Sequence, residues 1–148
     1  MNGHSPQRHK DHEGLGASLN DPGARSRADE LSHVIIGAAI EVHRVLGPGL
    51  LESAYEECLA HELSLPRGSF ERQVPLPVRY KTVRLACGYK LDLVVEGEVI
   101  VELKSIERLD AIHEAQLLTY LKLSGLKVGL IINFHTSFIK DGIKRLVL

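Results

Sequence analysis

From Asp29 onward the apolar positions recur at helical spacing: Val34, Ile35, Ala38, Val42 and Val45 fall along one side until Gly47-Pro48-Gly49 stops the run. This predicts a first helix. A second apolar stripe, Leu51, Ala54, Tyr55, Cys58 and Leu59, predicts another helix that ends at Leu65-Pro66. The pattern then becomes strand-like. Arg72 to Tyr80, interrupted by Pro75 and Pro77, and Thr82 to Leu85 read as edge-like strands, because proline cannot donate to a ladder. They lead into a hairpin from Tyr89 to Lys104, with Glu96-Gly97-Glu98 as its turn. The helical period then returns. Asp110 caps a predicted helix running to about Leu123, with Ile112, Ala115, Leu118 and Leu121 facing inward and Ser124-Gly125 ending it. Val128-Gly129-Leu130-Ile131-Ile132 suits a buried strand, and Ile143 to Leu148 a last one. This order argues one α/β sandwich with its sheet between helices.

Polar residues inside the hairpin change the picture. Alternation puts Ile100, Glu102 and Lys104 on one face of the second strand and Val99, Val101 and Leu103 on the other. Whether Asp92 joins Glu102 depends on the loop: an odd one, such as three residues with Gly97 left-handed, aligns them, and a two-residue loop separates them. Charges embedded in apolar strands are costly unless paired or metal-bound. Two acids and a lysine would supply oxygen ligands for a hard divalent cation and a positive charge for the reacting group. The competing role for Glu102 is a pair with Lys104 or Lys90 at the sheet rim. Glu52 lies in the first turn after Gly49, where the helix dipole favours a carboxylate. Tyr55 is three residues on, either holding Glu52 through its hydroxyl or filling core. Gln116 and Tyr120 share a helix face and can meet each other, a phosphate or solvent; Glu52 and Gln116 are expected to border one pocket.

A length of 148 residues suits one domain, expected at residues 28–148, with residues 1–27 a disordered tail because Gly, Ser, Asn, Pro and charge dominate there. His4, His9 and His12 sit in that tail without a scaffold for metal binding. His113 would share the helix face of Gln116 and Tyr120, while His33, His43 and His135 are dispersed, and none forms a histidine metal set. Cys58 and Cys87 are too few for a disulfide framework or a metal cage. No apolar run spans a bilayer and no secretory signal is visible, so a cytoplasmic protein without membrane contact is expected. The net charge of -1 exerts no global pull on nucleic acid, yet six basic residues stand against one acid from Arg67 to Lys90. Arg72, Arg79 and Arg84 are the expected phosphate contacts; a charge-protected sheet edge is the alternative. Gly47-Pro48-Gly49 lacks the lysine and spacing of a phosphate loop.

Asp92 with Glu102-Leu103-Lys104 resembles the D…ExK motif of the PD-(D/E)xK nuclease superfamily, although Leu91 stands where the motif's name has proline. Gly49-Leu50-Leu51-Glu52-Ser53-Ala54-Tyr55 matches the motif of the GxxExxY protein family within it, and Gly37 to Arg44 and His113 to Tyr120 also look like that family. The resemblance covers roughly residues 29–148. It implies a restriction-endonuclease-like αβββαβ core, a mixed sheet flanked by helices. It also implies Mg2+ or Mn2+ held by Asp92, Glu102 and Glu52, with Lys104 assisting hydrolysis of nucleic acid. Gln116 and Tyr120 resemble the QxxxY motif of some branches, which completes the candidate catalytic set of Glu52, Asp92, Glu102, Lys104, Gln116 and Tyr120. A non-catalytic nucleic-acid-binding or partner-binding module is the second reading, with a homodimer or protein partner left open.

Overall fold

In the computed structural model, residues 26–65, 69–86 and 88–148 are described. The proposed tail with its three histidines lies outside them up to residue 25, as does Cys87. Helix α1 (Arg27–Leu46) starts where the Ser26 side chain accepts from the Asp29 N–H, and Asp29 and Glu30 in its first turn complement the helix dipole. Its buried line is Leu31, Ile35, Ala39 and Val42, while Val34 and Val45 face solvent, contrary to the predicted stripe. The predicted stripe runs through Val34, Ala38 and Val45 and so passes over Leu31 and Ala39, which continue the true row through Ile35 and Val42.

Helix α2 (Glu52–Ser64) buries Tyr55, Glu56, Leu59, Ala60 and Leu63, and leaves the predicted inward residue Leu51 exposed at its N-cap. The strands β1 (Phe70–Pro75), β4 (Lys90–Val95), β5 (Val99–Lys104), β6 (Val128–Asn133) and β7 (Ile143–Val147) form one sheet in the order β1-β4-β5-β6-β7. Between β1 and β4, β2 (Val78–Tyr80) and β3 (Val83–Leu85) pair only with each other. Every pairing in the large sheet is antiparallel except β5 with β6, joined through helix α3 (Ala111–Ser124). The interior strand β6 is buried along its whole length and the central strand β5 up to Leu103, which is why both read as apolar runs.

One sheet face packs α1 and α2 over Leu93, Val95, Val101, Leu130 and Ile132; the other packs α3 over Val94, Ile100 and Ile131. In α3 the inward residues are Leu117, Tyr120 and Leu121, whereas Ile112, Ala115 and Leu118 are exposed. That corrects the predicted face. Apolar residues surround this helix on all sides, so its period selects no direction; a notch in the sheet does. A methyl group on Gly129 would come within 2.9 Å of the Leu117 side chain, so the bare glycine is what receives Leu117.

The hairpin turn has three residues between Val95 and its partner Val99, with Glu96 (φ 51) and Gly97 (φ 65) both left-handed. Arg27 grips the Glu96 carboxylate at 2.7 and 2.8 Å, tying this turn to α1. This odd loop sets Asp92 across from Glu102. Among the described residues no helix is long and apolar enough to cross a membrane.

Candidate active site

The β4–β5 ladder runs from Val95–Val99 to Leu93–Val101 and then stops. At the next position side chains replace the ladder bonds: the Asp92 N–H donates to Glu102 Oε2 at 3.0 Å, and the Leu103 N–H donates to Asp92 Oδ2 at 2.9 Å. Each carboxylate takes a backbone donor of the opposite strand. The register with β1 is interrupted at the same place. Arg72 pairs with Leu93 and Val74 with Leu91, but Gln73, in a left-handed conformation with φ 51, does not pair with Asp92. Its side chain Nε2 instead donates to Glu56 Oε1 at 2.7 Å and reaches Asp92 Oδ1 at 3.4 Å. Across this break Leu91 joins the core on the α3 side while Leu93 joins the other core.

These two acids are poorly hydrated. Burial, then the neighbouring Asp92 charge, pushes the Glu102 carboxyl up to about 8, against the downward pull of the Asp92 N–H and Lys104. Asp92 is also raised, first by burial and then by the Glu56 and Glu52 charges, opposed by the Leu103 N–H and Gln73. Burial, followed by the Glu102 charge, raises Tyr120, which keeps its hydroxyl protonated. Lys104 Nζ donates to Gln116 Oε1 at 3.3 Å, so the lysine after Glu102 is turned toward α3.

Glu52 arrives from the opposite side. Its Oε2 accepts from the Ser105 N–H at 3.3 Å, and Ser105 Oγ donates to the Leu50 carbonyl at 2.6 Å, stapling the start of α2 to the end of β5. Tyr55 does not hold Glu52. Its hydroxyl donates to the Gly47 carbonyl at 2.6 Å and accepts from the Leu50 N–H at 3.1 Å, while its buried ring stacks on Phe134 with centroids 4.4 Å apart. The spacing of Gly49, Glu52 and Tyr55 thus has a mechanical reason: Gly49 supplies φ 101, Tyr55 locks the loop, and Glu52 projects from it toward Ser105.

Sequence reasoning passed over four residues here. Glu56 and Gln73 flank Asp92; Ser105 seats Glu52. Asn133 accepts from the Ile106 and His135 N–H groups and donates to the Ile106 carbonyl, fixing the chain just beyond Lys104. The buried polar residue closing an apolar strand was the one available signal for Asn133, and Glu56, one turn after Glu52, for the α2 face. Arg72 is taken up by Glu56 and Glu57, each at 2.9 Å, which moves it away from the phosphate role. Arg79 and Arg84 lie opposite each other on the β2–β3 ribbon, both exposed. His113 accepts from the Asp110 N–H at the start of α3.

Among the described residues, no group of three or more His, Cys, Asp or Glu side chains is arranged to hold a metal ion. Asp92 and Glu102 nevertheless fit a divalent cation by their chemistry. Two like charges held side by side and largely buried are relieved by a cation between them, because the Asp92 charge raises the cost of ionising Glu102.

A model of the PD-(D/E)XK nuclease superfamily matches residues 29–146, and the chain belongs to that superfamily. Its mixed sheet flanked by helices is consistent with the restriction-endonuclease-like fold. The domain is of nuclease type, in a superfamily that typically uses divalent metals and binds nucleic acid. No curated protein and no solved structure matches the chain.

Proposed function

We propose that this protein hydrolyses phosphodiester bonds of nucleic acids with Mg2+ or Mn2+ bound, and that it is a member of the GxxExxY family. The observation that carries the reading is the crossed carboxylate pair at the ladder break, with Lys104 two residues beyond Glu102. Asp92 and Glu102 would hold the ion, with Glu52 completing or orienting the set. A divalent ion there supplies a polarised phosphoryl oxygen and a water of lowered pKa. Lys104 places its ammonium against the charge that builds on the phosphoryl group, and Gln116 keeps that ammonium aimed. Tyr120, held protonated, offers a hydroxyl to a phosphate oxygen. Arg79 and Arg84 contribute phosphate contacts, and Arg72 adds positive charge beside Glu56.

The absence of a three-ligand cluster among the described residues favours one alternative, a binding module that keeps the fold without the chemistry. A cleavage assay on mixed DNA and RNA substrates with Mg2+, Mn2+ or chelator separates the two. Asp92→Asn and Lys104→Ala should each slow metal-dependent cleavage by roughly thirty-fold to a thousand-fold with circular dichroism unchanged, a loss of about 2 to 4 kcal/mol of transition-state stabilisation. Wild-type protein that binds no divalent ion, or cleavage that persists at the wild-type rate in both variants, defeats the nuclease reading and promotes the binding module.

A further inference from the structure

The ribbon β2–β3 has a composition that solubility alone does not explain. Its register pairs Val78 with Leu85, Arg79 with Arg84 and Tyr80 with Val83, so paired residues share a face. One face therefore carries two arginines directly opposite each other, and neither makes an ion pair with any described residue. Like charges in that position destabilise a pairing, and an isolated two-stranded ribbon is marginal already. The other face carries Tyr80, Val83 and Leu85, exposed at 61%, 53% and 38%. From residue 76 to residue 90 there are four basic side chains, Arg79, Lys81, Arg84 and Lys90, and no acidic one.

The aromatic residues divide in the same way. Of the four tyrosines, Tyr55 and Tyr120 are buried, whereas Tyr80 and Tyr89 are exposed, and both of these belong to this segment. Lys81 Nζ lies 5.2 Å from the Tyr80 ring. The ribbon stands on the site: the Leu76 N–H bonds the Tyr89 carbonyl at its base, and Lys90 is two residues from Asp92. The Tyr89 ring lies 6.4 Å from that of Tyr120, which shares a core cluster with Leu76 and Leu91 and whose hydroxyl is acted on by the Glu102 and Asp92 charges.

We propose that the β2–β3 ribbon and Tyr89 form an arm for unpaired nucleic-acid strands, in which Tyr80 and Tyr89 stack on bases, with Lys81 beside the Tyr80 ring, while Arg79 and Arg84 follow the phosphates. The strand passes Tyr89 and Tyr120 toward Asp92 and Glu102. The substrate class follows from stacking and stiffness. Exposed rings stack on bases that are already free, and a duplex keeps its bases inside. A single strand curls round a ribbon two strands wide, placing bases on one face and phosphates on the other, whereas a duplex, with a persistence length of about 50 nm, resists so tight a curl. Four cations without an acid match a polyanion better than a protein surface. This arm rests on the nuclease reading for its purpose.

The test is fluorescence anisotropy of the full chain, in chelator, with labelled oligodeoxythymidylate, oligouridylate and a duplex of equal length. The single strands should bind more tightly than the duplex. Tyr80→Ala combined with Tyr89→Ala should weaken single-strand binding about ten-fold or more and leave the duplex nearly unchanged, with the two Tyr→Phe changes restoring it. Arg79→Gln combined with Arg84→Gln should weaken both and lower the single-strand salt slope by about 1 to 2. An unchanged melting temperature shows that the ribbon variants still fold. Equal affinity for duplex, or tyrosine variants that bind single strands as before, overturns the arm. So does a dimer in sedimentation that these variants dissolve without affecting nucleic acid, because the ribbon is then a protein interface. Metal-dependent cleavage without any single-strand preference removes the arm alone. Retained single-strand preference without cleavage of any strand removes the nuclease reading and leaves the arm as a binding surface.

Discussion

Replacing Glu102 by glutamine tests the electrostatics of the site without substrate. The folded protein holds a proton on Glu102 up to about pH 8, whereas the unfolded chain loses it near 4.5. Folding therefore takes up a proton in that window. The contribution to stability is present in full below about 4.5 and is lost as pH rises through about 8. Asp92, also raised, acts in the same direction. At 1.36 kcal/mol per pKa unit the ceiling for Glu102 is about 5 kcal/mol. Water entering the open end of the ladder break and proton sharing with Asp92 reduce this to about 2 to 4 kcal/mol. For a domain of this size each kcal/mol moves the melting temperature by about 3 to 5 °C. Glutamine keeps an oxygen for the Asp92 N–H and removes the charge. In chelator, wild-type protein should thus melt at falling temperature from pH 6 to pH 9, and Glu102→Gln should stay level and exceed it at pH 9 by about 6 to 20 °C. Added Mn2+ should raise the wild-type melting temperature and not the variant's. A wild-type melting temperature that holds or rises over this range in chelator, or a variant that tracks it, refutes the reasoning.

Two substitutions probe the supports of the site. Gln73→Gly accepts the left-handed backbone without strain but removes the amide between Glu56 and Asp92, so stability by urea denaturation should hold while calorimetry shows Mn2+ affinity falling about ten-fold; unchanged affinity assigns Gln73 to the backbone alone. Tyr55→Phe keeps the ring stacked on Phe134 but orphans the Gly47 carbonyl and Leu50 N–H, and should cost about 2 kcal/mol in chemical denaturation and slow cleavage through a looser Glu52; full stability in the variant would show that water replaces the hydroxyl.

Local pattern determined much of this protein. Period-two alternation was enough to put Glu102 and Lys104 on one face, and a turn with Gly97 at its centre made the three-residue loop readable as one of two choices. The apolar runs of β5 and β6 marked the middle of a sheet covered on both sides, because a strand with no solvent face needs no alternation. The tertiary structure decided what depended on partners far away in the chain. Leu117 faces inward because Gly129, on another element, leaves room for it, and nothing within an all-round apolar helix encodes that choice. Arg72 pairs with Glu56 and Glu57 because β1 runs beside α2, which its own strand pattern does not record. Glu52 is seated by Ser105, 53 residues on, and the break that frees Asp92 comes from Gln73 on the neighbouring strand. Periodicity reports which side of its own element a residue occupies; the partner across the gap is set only when the elements pack.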